Sequence, residues 1–394
     1  MNFYKKYILF VLGSIFTFLC TISILNYIID PYAIYNFIIL KGINDKKPLI
    51  NGRTRLHKTQ KLYTHSFDCI FLGTSRVEAS FDFDSNSIFF EHCKNYYNAG
   101  LSFANILEVY YLMELIQKYQ KKPKIFIGLD FLQFNAKAIT ISKELDFFRK
   151  PMFIRYANLI SYSVLKDSLK TIHAKEDSFY KANGSWKIEE NYKEKFPKNT
   201  SLFLIFLLTE NGFYDIFYNH FDFTNNKLST LNYFEKILDI SYSHNLEVYF
   251  FINPFHVRLL QLLDYKIGYN QFEEWKKYLV EIISKKAEQW NQTPYPLWDF
   301  SGYNSITTEP IDQNIKSSKY FYDSSHLKRE IGELILGKIL SISSQISDFG
   351  VPLNKTTIQK HLEEQRKRKT KWEQDNKEIT KELLNFAKSE YKLP

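Results

Sequence analysis

Three residue types in this sequence have the makings of an ester-cleaving centre. Ser75 closes an apolar run at Gly73-Thr74-Ser75-Arg76, and Asp323 and His326 stand together in Asp323-Ser324-Ser325-His326. A serine hydroxyl is a weak nucleophile until a base removes its proton during attack. His326 is the candidate base, and Asp323 the group that orients the ring and stabilises the imidazolium. The Asp-x-x-His spacing suits a turn leading into a helix, with the aspartate just outside and the histidine in the first turn. A tetrahedral oxyanion needs positioned donors. The amide of Ser75, at a strand-to-helix junction, and that of Gly100, where no side chain obstructs approach, are the candidates. The pattern is not the G-x-S-x-G elbow, because Val77 stands where its second glycine would be.

These groups are far apart in sequence, so strands must gather them. "FDCIFLG" reads as a buried strand, and "KNYYNAGLS" holds a second, ending at Asn98-Ala99-Gly100. "PKIFIGLDFLQF" is a near-continuous apolar run, as in strands buried on both faces. "LEVYFFINP" and "YPLWDFSG" supply two more strands. Helical spacing covers Ile106–Tyr119, Leu228–Ser243, Phe272–Trp290 and the stretch "HLKREIGELILGKIL". Such alternation predicts an α/β protein with a parallel sheet. Functional groups of such sheets collect outside the carboxyl ends of the strands. Those ends carry Gly73-Thr74-Ser75, Asn98-Ala99-Gly100, Gly128-Leu129-Asp130, Asn253-Pro254-Phe255-His256 and Asp299.

In block order and strand context, residues 66–345 resemble the SGNH/GDSL hydrolase superfamily. Gly73-Thr74-Ser75 is similar to its first block, Asn98-Ala99-Gly100 to its second, and Asp323-Ser324-Ser325-His326 to its last. Within it, the membrane-anchored branch that modifies cell-envelope polysaccharides, in alginate O-acetylation and teichoic-acid D-alanylation, pairs an anchor with a similar first block. The resemblance implies a flavodoxin-like three-layer sheet and ester chemistry through Ser75, His326 and Asp323. One departure stands out. The third block of the superfamily is Gly-x-Asn-Asp, whose asparagine donates to the oxyanion, whereas this chain has Gly128-Leu129-Asp130. An ionised Asp130 would repel an oxyanion, which leaves Asn253, Asn98 or backbone donors alone to supply the hole.

Each residue also has a plainer use. Ser75 is at a natural helix N-cap position, Asp323 could cap the final helix, and Gly100 could serve a tight turn. Arg76 is either an ion-pair residue or a contact for an anionic substrate group. Asp130 is equally a structural acceptor or a substrate contact. His256, beside Asn253 and Pro254, fits a loop role or a substrate contact. The remaining histidines show no metal-ligand spacing, and no metal or cofactor is assigned.

The chain is 45% hydrophobic, 17% aromatic and carries a net charge of +9. No Arg-rich run with interleaved aromatics marks a nucleic-acid groove, and a mild basic excess suits a solvated surface or anionic lipid or glycan. Tyr7–Ile29 is uncharged and long enough to span a bilayer core of about 30 Å. Lys5 and Lys6 before it put residues 1–6 in the cytoplasm and the main domain outside the membrane. No small-x-small cleavage site follows, so 7–29 reads as a retained signal anchor rather than a cleaved signal peptide.

Residues 30–65 read as a juxtamembrane connection. Within 66–345, an insertion over about 135–226 interrupts the strand–helix alternation as a cap or lid, and 346–394 reads as a charged tail. Cys69 and Cys93 lie on apparent strands where buried thiols are expected; a disulfide between them is left open. The expected activity is a serine-dependent acyl ester hydrolase or O-acyltransferase acting on an envelope glycan or other ester. A membrane acyltransferase partner would deliver the acyl group. A non-catalytic glycan-binding or assembly component of the same fold is the alternative. A lipase or phospholipase would use the same serine.

Overall fold

The computed structural model describes residues 3–84, 87–139, 145–223, 227–342 and 346–388; the expected limits at 226 and 345 fall outside them. The chain divides into two units, one of residues 1–65 and 143–181, the other of 66–142 and 182–394. The stretch expected as one insertion is therefore split. Its middle part, 143–181, belongs with the N-terminal segment, and the rest with the sheet.

In the N-terminal unit, the helix Phe3–Ile29 contains an 18-residue stretch of mean hydropathy 2.5 and is long and apolar enough to cross a membrane. Its side chains, Phe10, Phe16 and Phe18 among them, are exposed along most of its length. Near its end Asn26 donates to the carbonyls of Asn158, Leu159 and Ser161 at 2.9–3.2 Å. Asp30 accepts the amides of Ile34, Tyr35 and Asn36, each at 2.8 Å. Lys47 Nζ donates to the carbonyls of Ile29 and Asp30 at 2.6 and 2.8 Å, satisfying acceptors that a helix end leaves bare. The segment expected as a plain connection thus contains a helix, Thr54–Thr64, and its Tyr32, Ile34 and Leu56 share a small core with Val164.

The second unit is built on a six-stranded sheet: β1 Cys69–Leu72, β2 Tyr96–Asn98, β3 Lys124–Leu129, β4 Glu247–Ile252, β5 Leu297–Asp299 and β6 Val351–Leu353. Its order is β2-β1-β3-β4-β5-β6. The first five strands are parallel, in register Phe71 with Phe126 and Phe126 with Tyr249. β6 runs antiparallel to β5 and makes the sheet mixed. That strand lies in the expected tail, where three residues around a proline carry almost no strand signal; an edge strand tolerates Pro352 because its outer N–H groups need no partner. Phe71, Phe81, Phe126, Phe251 and Phe300 form a wholly buried aromatic core on one face.

Cys69 and Cys93 form a disulfide, with Cα atoms 5.6 Å apart. Cys69 is on β1, but Cys93 lies in the loop after the 3-10 turn Ile88–Glu91, not on a strand. The tail is also folded. His361, Leu362 and Gln365 of the helix Ile358–Asp375 are buried. His361 Nε2 and Lys276 Nζ approach Asp299 Oδ2 at 2.8 and 2.7 Å. Asp299 therefore faces the tail helix instead of serving the strand-end rim, and these partners, outweighing burial, hold its carboxyl well below the usual range.

Candidate functional site

β1 and β3 lead to opposite halves of the sheet, and the crevice outside their carboxyl ends is where such folds bind ligands. β1 enters it through Gly73. At φ +152° this residue has a backbone open mainly to glycine, and an added Cβ would lie 2.4 Å from Val77 Cγ2 and 2.9 Å from Gly128 O. The turn delivers Ser75 as the first residue of the short helix Ser75–Ser80. Thr74, not Ser75, caps that helix, accepting the amide of Arg76 at 3.3 Å. The Ser75 hydroxyl is left for other work.

His326 Nε2 lies 2.9 Å from Ser75 Oγ, and His326 Nδ1 lies 2.7 Å from Asp323 Oδ2. The three groups thus stand in the serine–imidazole–carboxylate sequence of a charge-stabilised nucleophile. Asp323 is fully buried and its Oδ1 accepts the amides of Ser325 and His326, each at 2.7 Å. Burial alone would raise its pKa. The neighbouring imidazole and the donors around it prevail and hold it down at about 2. The motif differs locally from expectation. His326 precedes the helix Arg329–Ile339, in a tight loop closed by the Phe321–Leu327 bridge, so Asp323 caps a loop rather than a helix.

A tyrosine missed in the sequence completes the cluster. The Tyr192 hydroxyl donates to Asp323 Oδ2 and lies 3.4 Å from His326 Nδ1. Burial first, then the Asp323 charge, keeps that phenol protonated far above its ordinary range. Trp186 sets its ring edge-on to His326 at 5.3 Å. Both residues come from the second half of the insertion, where a lone aromatic had no spacing signal to mark it.

The other expected contacts have local partners. Arg76 forms a buried ion pair with Asp130, donates from Nε to Ser325 O at 3.2 Å, and lies over the Phe255 ring at 4.5 Å. Asp130 also accepts from Thr74 Oγ1 at 2.6 Å and from Asn253 Nδ2 at 2.9 Å. It acts here as a structural acceptor, and the Asn253 donor is occupied. Asn98 Nδ2 donates to the carbonyls of Val77 and Phe81, at 2.8 and 3.0 Å, and the Gly100 amide donates to Asn98 Oδ1 at 3.1 Å. The amides proposed for an oxyanion at Gly100, Asn98 and Asn253 are thus engaged, while that of Ser75 makes no hydrogen bond among the described residues. His256 is a helix cap. Its Nδ1 accepts from the Arg258 amide at 3.2 Å, Nε2 lies 2.7 Å from Glu309 O, and burial pushes its pKa down to about 3.

Two hollows adjoin the cluster. A cavity of about 230 Å³ is lined by Ser75 and Arg76 at one part and by Phe103, Ala104, Leu132 and Phe213 elsewhere. A broader cleft of about 630 Å³ includes Tyr192, Tyr322 and Phe196 with Lys193, Lys198 and Lys316. These three lysines make no ion pair among the described residues. No family model matches the chain, and no curated protein matches it.

Proposed function

We propose that this chain is a membrane-anchored, serine-dependent acyl ester hydrolase or O-acyltransferase of the SGNH type, acting on an extracytoplasmic glycan or other envelope ester. The observation that carries this reading is the 2.9 Å approach of Ser75 Oγ to His326 Nε2, with Asp323 behind the ring at 2.7 Å. The strand order 2-1-3-4-5 over the parallel strands is that of flavodoxin-like sheets and supports the same reading. So does the Cys69–Cys93 disulfide, since such bonds persist in oxidising compartments. Lys5 and Lys6 before the apolar helix favour a cytoplasmic N-terminus and an exported domain.

Ser75 Oγ attacks the ester carbonyl while His326 Nε2 takes its proton, and Asp323 stabilises the resulting imidazolium. The Ser75 amide faces the oxyanion. Collapse breaks the bond to the alcohol, which leaves with the proton from His326, and the acyl group stays on Ser75. A second hydroxyl, from water or a sugar, then gives its proton to His326 and takes the acyl group, and His326 returns that proton to the departing Ser75 Oγ. The Lys- and Tyr-lined cleft beside Tyr192 suits a long polar chain as the alcohol component.

A fluorophosphonate probe tests this: the wild type is labelled, while Ser75→Ala and His326→Ala are not. The second reading, a non-catalytic glycan-binding component, is favoured by the Asp130–Arg76 pair, which occupies the third-block position without offering an oxyanion donor. Glycan binding by a wild type that resists labelling would establish it.

A further inference from the structure

We infer that the acyl group carried by Ser75 is a medium-length chain, of about six to eight carbons, rather than acetyl. The inference rests on the hydrolase reading above and identifies the acyl component of that same site. The cavity of about 230 Å³ has Ser75 in its own wall, so an acyl carbon bonded to Ser75 Oγ has this hollow beside it. Its other walls include Phe103, Ala104, Leu132, Phe213 and Ile216, which offer a chain no hydrogen bonds.

Several of the polar groups at its border, which also include Lys137 and His220, are engaged with one another or with the backbone. Arg76 is paired with Asp130, and Asn135 donates to His220 O at 2.5 Å while accepting the amides of Lys137 and Asp222. An apolar cavity of about 150 Å³ accepts a benzene ring. By proportion this one holds about nine carbons at most, room for a chain of six to eight, whereas an acetyl methyl would leave most of it empty. The cleft at Tyr192 differs in character, with its lysines and tyrosines, and is left to the alcohol side of the ester.

The test uses the full chain in nanodiscs with p-nitrophenyl acetate, butyrate, hexanoate, octanoate and laurate. Each buried methylene is worth about fourfold, so over four methylenes kcat/KM should rise by up to about 250-fold from acetate to hexanoate, peak at six to eight carbons and fall at laurate. Ala138→Phe, which projects a ring into the cavity, should lower the hexanoate-to-acetate ratio at least tenfold; using a ratio removes any loss of folded protein. If the fluorophosphonate labels Ser75 but acetate is the best ester, or the ratio ignores Ala138→Phe, this inference falls alone. If Ser75 is not labelled and no ester is cleaved, the hydrolase reading falls and takes this inference with it.

Discussion

The hydroxyl of Tyr192 donates to the same oxygen of Asp323, Oδ2, that faces Nδ1 of His326. One carboxylate oxygen thus serves a base and a neutral phenol together, and the phenol ties the helix Ile188–Lys195 to the candidate centre.

Tyr192→Phe keeps the ring and removes one hydrogen bond to a buried charge. Such bonds contribute about 1.5–3 kcal/mol. The variant should unfold at lower denaturant by that amount, measured on the full solubilised chain. Unchanged stability would mean that Asp323 does not rely on the phenol.

Acid should act through Asp323. Its folded pKa of about 2 lies below the ordinary carboxyl value of about 3.9. Between the two, the unfolded chain binds more protons, so the contribution is complete above about pH 4 and is lost as pH falls toward 2. The loss is about 2–3 kcal/mol. Asp299 is held low as well, but it is common to wild type and Asp323→Asn. The difference between their unfolding free energies at stepped pH isolates Asp323; parallel curves through that window would refute the claim.

The Arg76–Asp130 pair should behave as a unit. Arg76→Ala strands a buried carboxylate and should cost about 3–5 kcal/mol. Lysine is no remedy, because it lacks the planar fork that spans Asp130 and Ser325 and stacks on Phe255. Arg76→Met with Asp130→Leu should be less destabilised than either single change. Strictly additive denaturation midpoints would show that the two are independent.

The disulfide joins residues 24 apart. Closing a loop of that length is worth about 3 kcal/mol. Reductant should lower the stability of the wild type by about this much and leave Cys69→Ala/Cys93→Ala unmoved. Electrophoretic mobility without reductant gives an independent readout of the bond.

The five parallel strands were legible because unbroken apolar runs such as Ile125–Leu129 have few alternatives in a chain of this length. The meeting of Ser75 with Asp323 and His326 was legible for a related reason: parallel strands send their carboxyl ends to one rim, and Asp-x-x-His is short enough to fold on itself. What pattern could not show was partnership across long gaps. Nothing near Tyr192 announces Asp323, and nothing near His361 announces Asp299. His256 misled because a strand-end histidine suggests a ligand contact, and histidine is an uncommon helix cap. Gly100 and Asn253 misled in another way. Their positions suit an oxyanion, but Asn98 and Asp130 were already there to engage them.

β6 gives the end of the chain an importance its composition conceals. A polypeptide stopped before Val351 would bare the flank of Leu297–Asp299, an open row of amides and carbonyls that invites a neighbouring copy to zip on. It would also strip His361 from Asp299, leaving the buried Lys276–Asp299 pair roofless. The last strand is in effect the selvedge of the fabric, and trimming it for convenience would let the cloth fray into aggregates.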